Sequence, residues 1–464
     1  ANRLKNVLPK IIHDDQKGFM KGRYIGENIR KIYDVLRYTE AENIPGLLLS
    51  VDIEKAFDSV SWAFMQKALE FFNFGPCLIQ WIATLYHSPI SCVSVNGQYS
   101  KWFSVCRGVR QGDPSSSYLY LLCAEIMSIL IRQNVKIKGI QMNELEVLLS
   151  QFADDTNVCL DGSEESFNEC MRVLRQFSDM SGLKINFEKT NVVWIGRMKN
   201  SNIRYLRDEN FCWNPGTFRI LGILFCIDTD RMIELNYDGK LMTIRRDLHK
   251  WNKRQLTPLG KITILKTIIF SKLTYLFLNL PDPPANVMKE IENMMFKFLW
   301  NEKPAKIKRS VVCKPYIDGG LQMIDVAACI SSLKISWLKR ITDESEFQKF
   351  IFNIFPDFQC LHKLGEEYIH VCMQRCRNPF WVDVLKHFKK LYVKCCPENL
   401  SELMSECIHY NVNILRDRKV ICVKEWINND ILYIRQLFNS NNNKFFTFVE
   451  FKEKYPVILK TNFL

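Results

Sequence analysis

The stretch LLSQFADDTNVCL, residues 148–160, sets two adjacent aspartates, Asp154 and Asp155, between apolar runs. Neighbouring carboxylates repel each other and prefer water, so a chain that tucks them between strand-like segments has a use for their charge. The pattern reads as strand, turn, strand, with both aspartates at the turn. Upstream, GLLLSVDIEKAFD (46–58) is an apolar strand that carries a third acid, Asp52, where its apolar run ends. A strand ending in an acid, paired beside such a hairpin, brings three carboxylates together.

Nothing nearby in the sequence neutralises them except mobile basic side chains. A divalent metal is the natural counter-ion, and all-oxygen ligands favour Mg2+. Two such ions can activate a hydroxyl and stabilise a pyrophosphate leaving group in an in-line displacement. Taken alone, FADD reads more readily as the cap of a hairpin turn than as a metal site.

Composition sets the wider frame. With 464 residues, 47% of them hydrophobic, the chain can bury a large core and divide into two to four structural units. The net charge of +13 is uneven: residues 236–310 hold fifteen Lys and Arg against six Asp and Glu. A basic face of that kind fits a polyanion, nucleic acid or an anionic membrane surface, and fits a solvated helix surface equally well. Seventeen cysteines, an odd count without framework spacing, read as reduced intracellular thiols. No apolar run approaches the ~20 residues of a membrane span. YLYLLCAEIMSILI (118–131) is broken by Glu125 and reads as a buried helix.

Along the chain, a basic helix and the loop DDQKGFMKGRYIG lead to a second helix ending near Pro45. After the Asp52 strand come two helices parted at Gly75-Pro76, then a hairpin turning at Asn96-Gly97. RGVRQGDP (107–114) is a polar loop opening the apolar helix, with Pro114 in its first turn. A helix at 163–180 follows the aspartate hairpin, then the short strands of GLKINFEKTNVVWIG and FRILGILF. From about 236 the pattern is helical and basic, and Thr257-Pro258 starts a long helix. The fold class is therefore α+β, followed by α.

VDIEKAFD, RGVRQGDP, FADD, GLKINFEKT and FRILGI follow one another in the order of reverse-transcriptase palm motifs A to E. The chain closely resembles the reverse transcriptases of LINE-type (non-LTR) retrotransposons. QKGFMKGRYIGENI near the start supports this, as do WNKRQLTPLGKITILKTIIFSKLTYLF, similar to the family's thumb, and KPYIDGGLQMID, similar to its post-thumb segment. The likeness fades after about residue 340.

The resemblance implies a right-hand polymerase of fingers, palm and thumb, with an antiparallel palm sheet and a mostly helical C-terminal region. Residues 1–46 would be partial fingers, 47–235 palm with fingers elements, 236–310 a helical thumb and 311–464 the post-thumb region. It implies RNA-directed DNA synthesis with two Mg2+ ions, or Mn2+ in their place, on an RNA template, a DNA primer and dNTPs, with no membrane partner. Asp52 and Asp154 would bind both metals with the carbonyl of Ile53, and Asp155 would complete the cluster. Phe57 would crowd a ribose 2′-hydroxyl; Gln111 and Gly112 would lie under the incoming nucleotide. Lys189 would protonate the leaving pyrophosphate, with Lys184 a rival. Arg23 and Arg110 would touch triphosphate or template. Leu221 and Gly222 would grip the primer end, and Lys253, Arg254, Lys261 and Lys266 would face the duplex backbone.

The pattern departs from the family in three places. The first residues, ANRLK, lie partway into the first fingers motifs, so an upstream strand and an endonuclease domain are expected in the full-length protein. Motif B carries serine at 115 and 117, where the family more often has an apolar residue and proline. No Cys-Cys-His-Cys knuckle is present: the spacings of His370, Cys372 and Cys376, and of Cys395, Cys396, Cys407 and His409, fit buried thiols. Among rivals, a viral RNA polymerase would carry an Asp, not Phe57, five residues after Asp52. The alternative from another class is an inactive retroelement remnant, or an RNA-binding protein that keeps the polymerase fold. The family's location is intracellular, nucleus and cytoplasm, as a ribonucleoprotein.

Overall fold

Pro45–Val51 is the middle of a five-stranded sheet ordered Cys212–Trp213, Asn191–Gly196, Pro45–Val51, Asp155–Leu160 and Leu149–Phe152. It is seen in a computed structural model that describes residues 1–391, 397, 399–439 and 444–456. The apolar run GLLLSV is continuous rather than alternating because this strand is covered on both faces, the situation that dispenses with a polar side. Leu47, Leu49 and Val51 enter one core with Leu119, Phe167 and Trp194. The helix Ile25–Ala41 packs on the strands 149–152 and 191–196, and the helices Ser116–Gln133 and Glu164–Ser181 pack on each other.

The register decides what meets at the strand ends. Ser50 pairs with Asn157 and Val51 with Thr156, so the next step along the ladder sets Asp52 opposite Asp155. Within the hairpin, Phe152 pairs with Asp155, leaving Ala153 and Asp154 as the two turn residues. The expected antiparallel sheet needs one correction. Its outermost pair, Asn191 with Cys212 and Val192 with Trp213, is parallel, because the chain loops back through 197–211 before re-entering the edge.

The chain divides into two compact units, residues 1–239 and 240–464. The helix that opens the expected thumb runs from Arg231 to Asn252, and so begins five residues before 236. In the second unit Thr257 caps the next helix, accepting from Gly260 N at 3.2 Å, with Pro258 in the first turn. Helical conformation then persists through 279, by way of a π-helical segment at Leu265–Phe270. The helices Ala285–Leu299, Val326–Arg340, Glu346–Ile354, Glu366–Arg375 and Pro379–Leu391 follow.

Two expectations about this unit are overturned. The run 258–279 is long and apolar enough to cross a membrane by length and composition, although no such run was expected. Half of it is buried inside the unit, and a core helix has the same properties. Lys261, expected to face a nucleic-acid duplex, is only 2% exposed. Its ammonium donates to the carbonyl of Phe298 at 2.6 Å and to Asn301 Oδ1, capping the end of the helix Ala285–Leu299. The unpaired carbonyls of a helix C-terminus attract a cation, and that use leaves none of the charge for a phosphate. Lys253 and Arg254 are exposed, Arg254 lying over the Trp251 ring at 4.5 Å, and Lys266 is half-buried. Cys372 and Cys376 are buried thiols, whereas Cys395 and Cys396 lie outside the described residues.

Candidate active site

All three aspartates belong to the first unit. Asp52 follows the central strand, and its amide donates to Thr190 Oγ1 at 3.3 Å. Beyond it, Ile53 pairs with Ile185, flanked by bonds from Glu54 N to the Lys184 carbonyl and from Asn186 N to the Asp52 carbonyl, both 2.8 Å. That is the non-hydrogen-bonded type of antiparallel pair, in which the middle residue turns its own carbonyl away from the partner segment. The Ile53 carbonyl therefore points to the side where Asp155–Leu160 runs. The first of these bonds ties Lys184 to the strand end, and the amide of Lys189 donates to Asn186 Oδ1 at 3.2 Å.

The turn itself is clamped from a distance. Ala153 has φ +56, a left-handed backbone that costs a non-glycine residue roughly 1 kcal/mol. Buried Gln16 holds it there: its Oε1 accepts from Ala153 N at 2.7 Å, and its Nε2 donates to the Ala153 carbonyl at 3.1 Å. Gly18 N donates to the same Oε1 at 2.9 Å, and any Cβ on Gly18 would lie 2.4 Å from Ala153 N. Close approach at this point admits only glycine. In the sequence Gln16 carries no local sign of this role beyond the QKG run near the start.

Arg23 serves the same loop. It donates to the carbonyls of Ile12, His13 and Gln16 at 2.7–2.8 Å and pairs with Asp14 at 3.1 Å. Its expected contact with triphosphate or template is replaced by this internal role, because its donors are already engaged in shaping the segment that carries Gln16. Arg110 donates to the Leu85 carbonyl at 3.2 Å, and its own carbonyl accepts from Ser116 Oγ at 2.5 Å.

Motifs A and B touch through glycine. Gly108 has φ +88, its amide donates to the Val60 carbonyl at 2.8 Å, and a Cβ there would lie 2.6 Å from the Asp58 carbonyl oxygen. Val109 N donates to the Phe57 carbonyl at 2.7 Å, and Gln111 Nε2 to Asp58 Oδ1 at 3.4 Å. Gln111 thus stands beside the Phe57 turn, and a side chain added at Gly112 would meet nothing within 4 Å. Phe57 is half-buried, stacked on Tyr120 with centroids 4.5 Å apart and edge-on to Phe19 at 6.0 Å. Leu221 and Gly222, both with positive φ, form the two-residue turn between Phe218–Ile220 and Ile223–Phe225.

Electrostatics ties the aspartates together. Asp155 is pushed up to about 6, first by lost hydration and then by the charges of Asp154 and Asp52. More than a third of its surface is open, yet the surrounding protein still removes enough water to matter. The phenol of Tyr120, wholly buried with no hydrogen-bond partner for its oxygen, is raised by burial and then by Asp154. The site is thus short of positive charge. Among the described residues, no three His, Cys, Asp or Glu side chains are grouped so that they could hold an ion by themselves. The donor set fits a hard cation that takes one or two carboxylates and fills its shell with substrate oxygens and water.

A stability prediction follows from Asp155. The folded chain binds its proton more tightly than the unfolded chain, whose value lies near 3.8. This group's contribution to stability is full below about pH 4, is lost as pH rises to about 6, and stays lost above that. After allowance for solvent screening, the ionised group costs about 1 kcal/mol. Asp155→Asn is therefore expected to raise the melting temperature in EDTA at pH 7.5 and to flatten the slope between pH 4 and 6. An unchanged profile would remove Asp155 from the charge cluster.

Residues 1–224 match the family model for reverse transcriptase (RNA-dependent DNA polymerase). Residues 1–224 are a reverse-transcriptase domain. The relatives bear out the LINE-type resemblance. The chain is 26% identical over 344 residues to the transposon TX1 uncharacterized 149 kDa protein of Xenopus laevis, covering 73% of this chain and 26% of that protein. It is 23% identical over 335 residues to the retrovirus-related Pol polyprotein from type-2 retrotransposable element R2DM of Drosophila melanogaster, covering 70% and 31%. The chain thus spans about a quarter to a third of these relatives' lengths. Among solved structures, telomerase from Candida albicans in complex with a TWJ fragment of telomeric RNA aligns over 83% of this chain and 56% of its own, at 12% identity and a TM-score of 0.39.

Proposed function

We propose that the chain is an RNA-directed DNA polymerase that adds dNTPs to a primer 3′-hydroxyl on an RNA template. What supports this reading is that Asp52 lies one step beyond the Val51–Thr156 pair of the central strand, beside the hairpin whose turn carries Asp154 and Asp155. In this proposal Asp52, Asp154 and the Ile53 carbonyl hold Mg2+, as two ions, and Mn2+ can replace it. When bound, the metal sharpens the primer hydroxyl as a nucleophile and offsets the charge of the departing pyrophosphate.

The chain's own residues supply the rest. Lys189 Nζ gives a proton to the leaving oxygen, with Lys184, anchored beside Glu54, as the nearby rival. Gln111 and Gly112 bear on the nucleotide, and the Leu221-Gly222 turn on the primer end. Lys253, Arg254 and Lys266 provide charge for a duplex backbone in a salt-sensitive, sequence-blind way. The proposed setting is an intracellular ribonucleoprotein, with an endonuclease domain elsewhere in the full-length protein. The test is extension of a DNA primer on an RNA template by the purified chain. dNTP incorporation that depends on Mg2+ or Mn2+ supports the reading; binding of RNA without any extension would favour an inactive relative.

Sugar choice follows from Phe57. Its ring is fixed by the stack on Tyr120 and so presents a hard edge five residues after Asp52. A 2′-hydroxyl would clash with that edge and a 2′-hydrogen would not, so selection acts against the wrong substrate. Phe57→Val is expected to raise ribonucleotide incorporation about tenfold or more, equivalent to about 1.4 kcal/mol, with a smaller loss for dNTPs. Single-nucleotide kinetics would expose an unchanged preference, and with it a ring that only packs.

A further inference from the structure

The hairpin between motifs A and B is bare on both sides. Its short strands pair Ile90 with Ser104 and Ser94 with Tyr99, and every residue in them is exposed or only partly covered. A sheet normally buries one face, and an isolated two-stranded hairpin is marginal in water. Here Tyr99 is 73% and Trp102 67% exposed, and Val95 and Phe103 are also open. Trp81 and Leu85, four apart on the helix Pro76–Leu85 and hence on one face of it, are exposed as well.

Charge narrows what could cover these rings. From Phe71 to Gly112 the chain contains no Asp or Glu, although about one residue in eight is acidic elsewhere. Lys101 and Arg107 lie within that stretch beside the aromatic residues. Rings interleaved with cations and free of acids suit a strand of unpaired bases: the rings stack on bases and the cations follow the phosphates. The base of the hairpin is also fastened to the site. Val105 N donates to the Pro89 carbonyl at 2.9 Å, and three residues on come the Gly108 and Val109 bonds to Val60 and Phe57.

We propose that the hairpin 90–104, with the exposed face of the helix Pro76–Leu85, is a binding surface for unpaired polynucleotide, in use the single-stranded RNA template running into the site. The inference rests on reading residues 1–239 as a polymerase, but binding can be measured without catalysis. The probe is a fluorescent, unstructured 20-nucleotide RNA titrated into the full chain in EDTA. Tyr99→Ala/Trp102→Ala is expected to weaken binding about tenfold or more, with an unchanged melting temperature, because both rings are exposed. Lys101→Glu/Arg107→Glu is expected to weaken binding and to flatten its dependence on salt.

Equal affinity of wild type and the ring variant overturns the inference. So does sedimentation showing that the two rings mediate self-association and that the monomeric variant binds RNA normally. A ring variant that loses RNA affinity in a chain that never extends a primer sustains the surface and defeats only the polymerase reading. In an active chain, the same variant is expected to lose extension on templates with long single-stranded overhangs and to keep it on a one-nucleotide overhang.

Discussion

Replacing Asp154 with asparagine is expected to cut metal-dependent primer extension by about three orders of magnitude or more, a loss of about 4 kcal/mol of transition-state stabilisation. Asp154 occupies the hairpin turn next to Asp155, which itself stands opposite the end of the central strand. Asparagine keeps the shape of the side chain and removes one anionic oxygen donor from a set that is already small. The fold has no need of that charge: like charges crowd the turn, and the described structure gives the Asp154 carboxylate no cationic partner. Melting temperature in EDTA should therefore hold or rise while extension disappears. Single-turnover extension measured beside thermal denaturation separates the two, and a variant that extends within tenfold of wild type would defeat the metal assignment.

Gln16→Ala is expected to act on both stability and rate. It leaves Ala153 N–H, the Ala153 carbonyl and Gly18 N–H without their side-chain partner in a buried place. At about 1 kcal/mol for each bond, the chain should lose about 2–3 kcal/mol. The larger consequence is for the turn, because a left-handed Ala153 relaxes once nothing holds it. A shift of roughly 1 Å in the neighbouring carboxylate is enough to slow chemistry about a hundredfold. Ala153→Gly, placed in the Gln16→Ala background, should recover part of the rate by making the same backbone cheap. A raised half-saturating metal concentration would mark the positioning role. If Gln16→Ala lowers only the melting temperature, Gln16 is structural and no more.

Much of this was legible in the sequence, for local reasons. The strand–turn–strand around Asp154, the Asn96-Gly97 turn and the Thr257-Pro258 helix start depend on residues within a few positions of one another. What escaped depends on partners far away. Nothing around Gln16 announces that it serves a turn at residue 153. Gly108 looked like one glycine of a polar loop, whereas its need arises from the Asp58 backbone lying against it. Lys261 shows the limit of counting charge. A lysine in a basic helix reads as a surface cation, and only the course of the helix Ala285–Leu299 turns it inward to that helix's end. Arg23 is a second case, its donors claimed by carbonyls that the loop brings round it.

The contact between Gln16 and Ala153 joins residues 137 apart in the chain. Contacts of that separation form late, because closing so long a loop costs entropy before anything is gained. During synthesis the loop bearing Gln16 emerges first and must wait, unsatisfied, until the aspartate hairpin has been made. The carboxylates therefore reach their working arrangement only after the segments around residues 16 and 153 have met. Until then, the newly made chain carries its acidic residues in a turn that is free to relax.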